Sequence, residues 1–175
     1  PVYAHVQRAG ATWTQALGEW LLKLEADHSF VSDVNLQESL LVSPPRVDHT
    51  AVALGVEWGW PYESAEGTIL VEGQYAIAPG ASAEERAQLG PFENDVLVGY
   101  RHSWNNAEGT ELTTGVILDV ERPDEVLGNV LLSHRLSDYF SVEASGRVVF
   151  ADSEESILHG QNGAHLVQIS LIRFF

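Results

Sequence analysis

The segment His165-Leu-Val-Gln-Ile-Ser-Leu-Ile-Arg-Phe-Phe175 follows a period of two and finishes on an aromatic residue. That period puts alternate side chains on opposite faces of an extended chain. Chain ends ordinarily fray in water, so an apolar strand ordered up to Phe175 needs a partner along its whole length, as the closing strand of a membrane barrel has. The segment therefore sets the expectation of a transmembrane β-barrel.

Composition permits this reading. A length of 175 residues and 45% hydrophobic content fit one domain spanning 1–175. No run approaches the roughly 20 apolar residues of a spanning helix, a test that barrel strands escape because lumen-facing residues interrupt the lipid-facing ones. The net charge of -16, from 25 acids against eight arginines and one lysine, argues against nucleic acid as a partner. With no cysteine, neither disulfides nor a thiolate metal site can form. The opening Pro1-Val-Tyr-Ala-His has neither the basic nor the apolar region of a signal peptide. An exported protein is therefore expected here as a processed or partial chain.

Alternation and turn residues predict nine strands, at 3–16, 20–30, 49–60, 68–78, 92–104, 111–120, 126–136, 139–150 and 164–175, and no helix. Most approach the roughly 9–11 residues of a tilted spanning strand. Their connections alternate between short ones (17–19, 61–67, 105–110, 137–138) and longer or more polar ones (31–48, 79–91, 121–125, 152–163). Tight periplasmic turns and larger outer loops give this asymmetry. All seven prolines are expected at the start or in connections. Residues 34–42 read either as a further strand or as a strand-like loop, and pairing there would invert the sidedness of everything before it.

Each strand has an apolar and a polar or small face. Val52, Leu54, Val56, Trp58 and Trp60 oppose Ala51, Ala53, Gly55, Glu57 and Gly59; Val96, Val98, Tyr100 and Trp104 oppose Asp95, Gly99, Arg101 and Ser103. A soluble β-sandwich has the same pattern, with the apolar face buried. The aromatic residues separate the two readings. Trp13, Trp20, Trp58, Trp60 and Trp104 all lie near short turns, while Phe30, Phe92 and Phe150, with Tyr3 and Tyr75, lie towards the long loops. Two such bands are the interfacial girdles of a membrane barrel, whereas a soluble core places Trp centrally as often as at one rim.

Three stretches carry a resemblance: Phe92-Glu-Asn-Asp-Val-Leu-Val-Gly-Tyr-Arg, Thr110-Glu-Leu-Thr-Thr-Gly-Val-Ile-Leu-Asp119 and the final strand. With Gly18-Glu-Trp-Leu-Leu-Lys-Leu-Glu-Ala26, similar to a family strand that follows a tight turn, the chain resembles the C-terminal half of an uncharacterised, porin-like family of outer-membrane barrels from Gram-negative bacteria. The resemblance implies outer-membrane lipids and the barrel assembly machinery as partners, with Phe175 as assembly signal. It brings no established activity. Arg173 departs from the pattern, standing where such barrels usually carry an aromatic residue, and is expected to weaken recognition by that machinery. The resemblance also implies further N-terminal chain. Strand parity gives the same expectation: nine strands with Phe175 at the periplasmic end leave Pro1 outside, so additional N-terminal strands or another chain are expected to close the barrel.

Thirteen charges fall on the expected inward face: Arg8, Lys23, Glu25, Asp27, Glu57, Glu72, Asp95, Arg101, Glu111, Asp119, Arg135, Glu143 and Arg147. They read either as ion pairs filling a narrow barrel or as the wall of a water-filled pore that favours cations or polar neutral solutes. The expected function is a passive channel without a cofactor. The alternatives are a non-conducting structural or surface-binding barrel acting through its acidic loops and, least favoured, a membrane-embedded hydrolase. Ser133 and His134 point to opposite faces and so cannot join Asp138 in a triad, which speaks against an enzyme. His159 and His165, near Asp152, Glu154 and Glu155, are candidate ligands for a divalent cation, although flexible acidic loops are commoner than metal sites.

Overall fold

The computed structural model describes residues 5–32, 47–62, 64–82, 86, 94–153 and 158–175. Nine antiparallel strands form one up-and-down sheet in chain order: β1 (His5–Leu17), β2 (Trp20–Ser32), β3 (His49–Pro61), β4 (Glu66–Ile77), β5 (Asn94–Ser103), β6 (Glu111–Asp119), β7 (Val126–Ser137), β8 (Phe140–Phe150) and β9 (Leu166–Arg173). The chain is all-β as the alternation predicts, and strand ends fall within two residues of the expected ones. One correction concerns proline, since Pro61 is the last residue of β3, opposite Glu66, rather than in a connection. At a strand end its missing N–H removes no interior rung of the ladder. Tyr3, Phe92, Glu154, Glu155 and the ambiguous stretch 34–42 lie outside the described residues. No helix among the described residues is long and apolar enough to cross a membrane, which says nothing of crossing by strands.

Contacts between elements run only between consecutive strands, plus β8 with a 3₁₀ turn at His159–Gln161. Among the described residues, therefore, no second layer covers either face, and the sheet does not close: β1 and β9 are its two edges. Register carries the apolar face continuously across it. Leu22, Val56, Val71, Val98, Val116, Gly128 and Val148 form one cross-strand row. β-Branched side chains in such rows fit a pleated surface and contact their cross-strand neighbours.

Exposure also follows the period of two. In β3, Leu54, Val56 and Trp58 are exposed, while Ala53, Gly55 and Glu57 between them are half-buried or buried. β4 repeats this, with Ile69 and Val71 exposed and Leu70 and Glu72 half-buried. A single-layer sheet shelters one face only by curling towards it, so the charged face is concave and the apolar face convex. The long strands permit such curling because tight turns hold each pair in register. Leu17 and Trp20 flank a two-residue turn in which Gly18 has φ 63°, while Glu19 is not among the positive-φ residues. This is the pattern of a type II′ hairpin turn. The first central position of such a turn is sparsely populated by residues with a Cβ and costs about 1–3 kcal/mol, so Gly18→Ala is expected to lose that much stability, read as a lower urea midpoint of unfolding with an unchanged slope.

Candidate functional site

Register places all thirteen expected charges on the concave face. Arg8 lies on the β1 face that meets Asp27 and Glu25 of β2; Lys23 opposes Gly55, beside Glu57; Glu72 opposes Gly55 and Leu97; Asp95 opposes Asp119; Arg101 opposes Thr113. The remainder, Glu111, Arg135, Glu143 and Arg147, alternate with apolar-face residues in β6, β7 and β8.

Some of these charges neutralise one another across strands. Arg8 binds Asp27 through two bonds, Nε to Oδ1 at 2.9 Å and Nη2 to Oδ2 at 2.7 Å. Such a bidentate fork is the stronger form of ion pair. Lys23 pairs with Glu57, and Arg101 Nε lies 3.0 Å from Glu111 Oε2. Arg135 and Arg147 instead donate to neutral oxygens, Ala107 O at 2.6 Å and Gln161 Oε1 at 3.3 Å. Glu25, Glu72 and Glu143 make no ion pair among the described residues. Three unpaired glutamates thus stand against two arginines whose charge a neutral oxygen does not cancel, a small excess of acid. Beside the Arg8–Asp27 pair is an open polar cleft of about 200 Å³, lined by Arg8, Glu25, Asp27, Ala51, Ala53 and Gln74, where the alanines leave space.

The face is not uniformly polar. Leu97, Ile117, Leu127 and Val149 form a cross-strand row on it. At the end of that row Val149 is 1% exposed and, with Ala151 and Leu158, makes up the buried apolar residues among those described. Here the connection after β8 folds back: Asn162 Oδ1 accepts from Ala151 N at 3.0 Å, and His159 Nδ1 lies 3.2 Å from Ala151 O.

An ionic knot at the long-loop end had no counterpart in the sequence reading. Asp119 Oδ1 accepts from the backbone N–H of Glu121 and Arg122, each at 2.7 Å, and Oδ2 from Arg122 Nη2 at 2.7 Å. Arg122 Nε also lies 2.9 Å from Glu125 Oε1, and Asn94 Nδ2 donates to Glu121 Oε1 at 2.7 Å. The signal was the three-residue spacing Asp119, Arg122, Glu125, which lets one guanidinium bridge both ends of a tight connection. Ser133 and His134 fall on opposite faces, and His134 Nδ1 is 2.7 Å from Thr110 Oγ1. Among the described residues no group of three or more His, Asp or Glu side chains could hold a metal ion.

The convex face carries the aromatic residues. Trp20 stacks on Trp58 at 5.6 Å, Trp58 meets Trp60 at 4.7 Å, Trp60 stacks on Tyr100 at 6.1 Å, and His102 meets Trp104 edge-on at 4.4 Å. Tyr62 and the Tyr100–His102 contact complete a band at the short-turn end; Tyr62 and His102 were missed because they follow no tryptophan pattern. Trp13 sits higher on the same face, opposite Leu24. At the other end Phe30 packs edge-on against His28, and Phe150 meets His165 at a tilt.

Comparisons with protein-family models, with curated proteins and with solved structures found no match.

The Trp60 ring lies over Gly67, where an added Cβ would meet it at 2.6 Å. Gly67→Ala must displace the indole and open the band. The expected result is a changed tryptophan emission together with about 1–3 kcal/mol of lost stability, read in one denaturation experiment.

Proposed function

We propose that the chain is part of an outer-membrane β-barrel of a Gram-negative bacterium, closed by additional strands, and that its concave face lines a passive channel for small cationic or polar neutral solutes. One observation carries this reading: the charges are sorted onto the concave face, while the convex face is apolar and ends in a band of Trp, Tyr and His. An uncovered apolar surface of this extent fits contact with hydrocarbon, and aromatic side chains with a polar edge fit the headgroup level. Strands of 8 to 13 residues match the roughly 9–11 needed to cross at a tilt. The resemblance to porin-like barrels and the role of Phe175 in assembly belong to the same proposal.

Cation preference follows from the pairing. Arg8–Asp27, Lys23–Glu57 and Arg101–Glu111 cancel locally, and Glu25, Glu72 and Glu143 against the uncancelled Arg135 and Arg147 leave a small negative excess over the passage. The same ion pairs, with the row from Leu97 to Val149, favour a second reading in which side chains fill the barrel and nothing passes.

Conductance in planar bilayers tests the two against each other. The folded full-length protein is expected to give discrete, cation-preferring steps. The triple substitution Glu25→Gln, Glu72→Gln and Glu143→Gln is expected to move the cation-to-anion permeability ratio towards one. A bilayer that stays sealed with heat-modifiable, folded protein inserted would leave the non-conducting reading.

A further inference from the structure

Among the described strand residues, Arg173 is the one Lys, Arg, Asp or Glu on the convex apolar face. The alternate positions of β9 on that face are Val167, Ile169, Leu171 and Arg173, opposite Gly146, Ala144, Val142 and Phe140. Every other ionised side chain of the nine strands has the opposite parity. Arg173 is exposed and makes no ion pair with any described carboxylate. Its guanidinium carbon lies 4.9 Å from the Phe175 ring centroid and 5.9 Å from that of Phe140.

This placement has a definite depth. Arg173 ends its strand beside the 138–139 turn, where the Phe174 N–H donates to Tyr139 O at 2.9 Å, so it belongs to the short-turn rim. A guanidinium on a lipid-facing surface is tolerated best at the rim, where it reaches the headgroups while its stem and neighbouring rings stay in hydrocarbon. Two aromatic faces hold the cation there without neutralising it. The planar fork matches two phosphate oxygens, and no described side-chain carboxylate pairs with it.

We propose that Arg173, with Phe140 and Phe175, forms a binding site for the phosphate of an anionic phospholipid in the leaflet at the short-turn end. This inference rests on the membrane reading above. The aromatic rings supply the hydrocarbon boundary and Arg173 the headgroup contact, so the residue that departs from the expected aromatic pattern gives this seam a lipid preference.

Native mass spectrometry of the full-length protein released from micelles with equal phosphatidylglycerol and phosphatidylcholine of identical acyl chains tests it. One interfacial charge is expected to favour phosphatidylglycerol roughly five-fold in the single-lipid adduct. Arg173→Lys keeps most of that preference, whereas Arg173→Gln and Arg173→Phe bring it to about one while gel mobility remains heat-modifiable. A ratio near one for the folded wild type, or an unchanged ratio in Arg173→Gln, overturns the headgroup site and leaves the membrane reading standing. A dimer peak lost in Arg173→Gln also overturns it, by showing a protein carboxylate as partner. Protein that never becomes heat-modifiable in lipid overturns the membrane reading and the site with it.

Discussion

Everything else in this structure depends on a single-layer sheet having one face without charge, apart from Arg173, and nothing among the described residues to cover it. Leu54, Val56, Trp58, Val71, Val98, Val116 and Ile169 all lie on that face and all are exposed. In water, apolar surface costs about 25 cal/mol per Å² to expose, and contiguous patches on soluble monomers rarely exceed roughly 300–600 Å². The internal alternative is thin, because among the described residues the buried apolar ones are Val149, Ala151 and Leu158. The sheet is held by its hydrogen-bond ladders and cross-strand rows, and in the proposed reading an apolar surrounding covers its convex face. Its edges, β1 and β9, are where that satisfaction stops.

The concave face follows from the same sorting. Charges excluded from the convex side collect there at strand spacing, close enough for Arg8 to reach Asp27 and Lys23 to reach Glu57. Such pairs add little to stability where water reaches them, and their main consequence is to decide which carboxylates still project a field. Geometry leaves Glu25, Glu72 and Glu143 outside those pairs against Arg135 and Arg147, and that small excess of acid, rather than the net charge of -16, gives the proposed passage its preference. The knot of Asp119, Arg122 and Glu125 fixes the entry to β7 from the opposite end.

The strands were legible because period two, turn residues and length agree at each of them: Leu17-Gly18-Glu19-Trp20 announces its hairpin, and Trp58 and Trp60 announce their face. The thirteen charges could be assigned to one face by parity alone, since a one-residue slip would move an entire strand's apolar set. Partners were not legible. Nothing in the alternation says that Arg8 reaches diagonally to Asp27 or that Arg135 turns to the Ala107 carbonyl, because side-chain rotamers and the course of a connection, not parity, fix those choices. The exception at Arg173 was visible as a departure from an aromatic pattern. Its isolation on an otherwise uncharged face emerged only when every strand's parity was tied to its neighbours.

The central claim is that the convex face meets lipid and the concave face meets water. Residues 1–175 contain no cysteine, so single cysteines introduced along β3 can be spin-labelled in the lipid-reconstituted full-length protein, with any cysteine outside these residues replaced by serine. Accessibility to oxygen, which concentrates in hydrocarbon, is expected to peak at Val52, Leu54 and Val56, with accessibility to a polar nickel chelate peaking at Ala51, Ala53 and Gly55. Labels at Val52, Leu54 and Val56 shielded from both reagents, or as open to the chelate as their neighbours, would contradict the account.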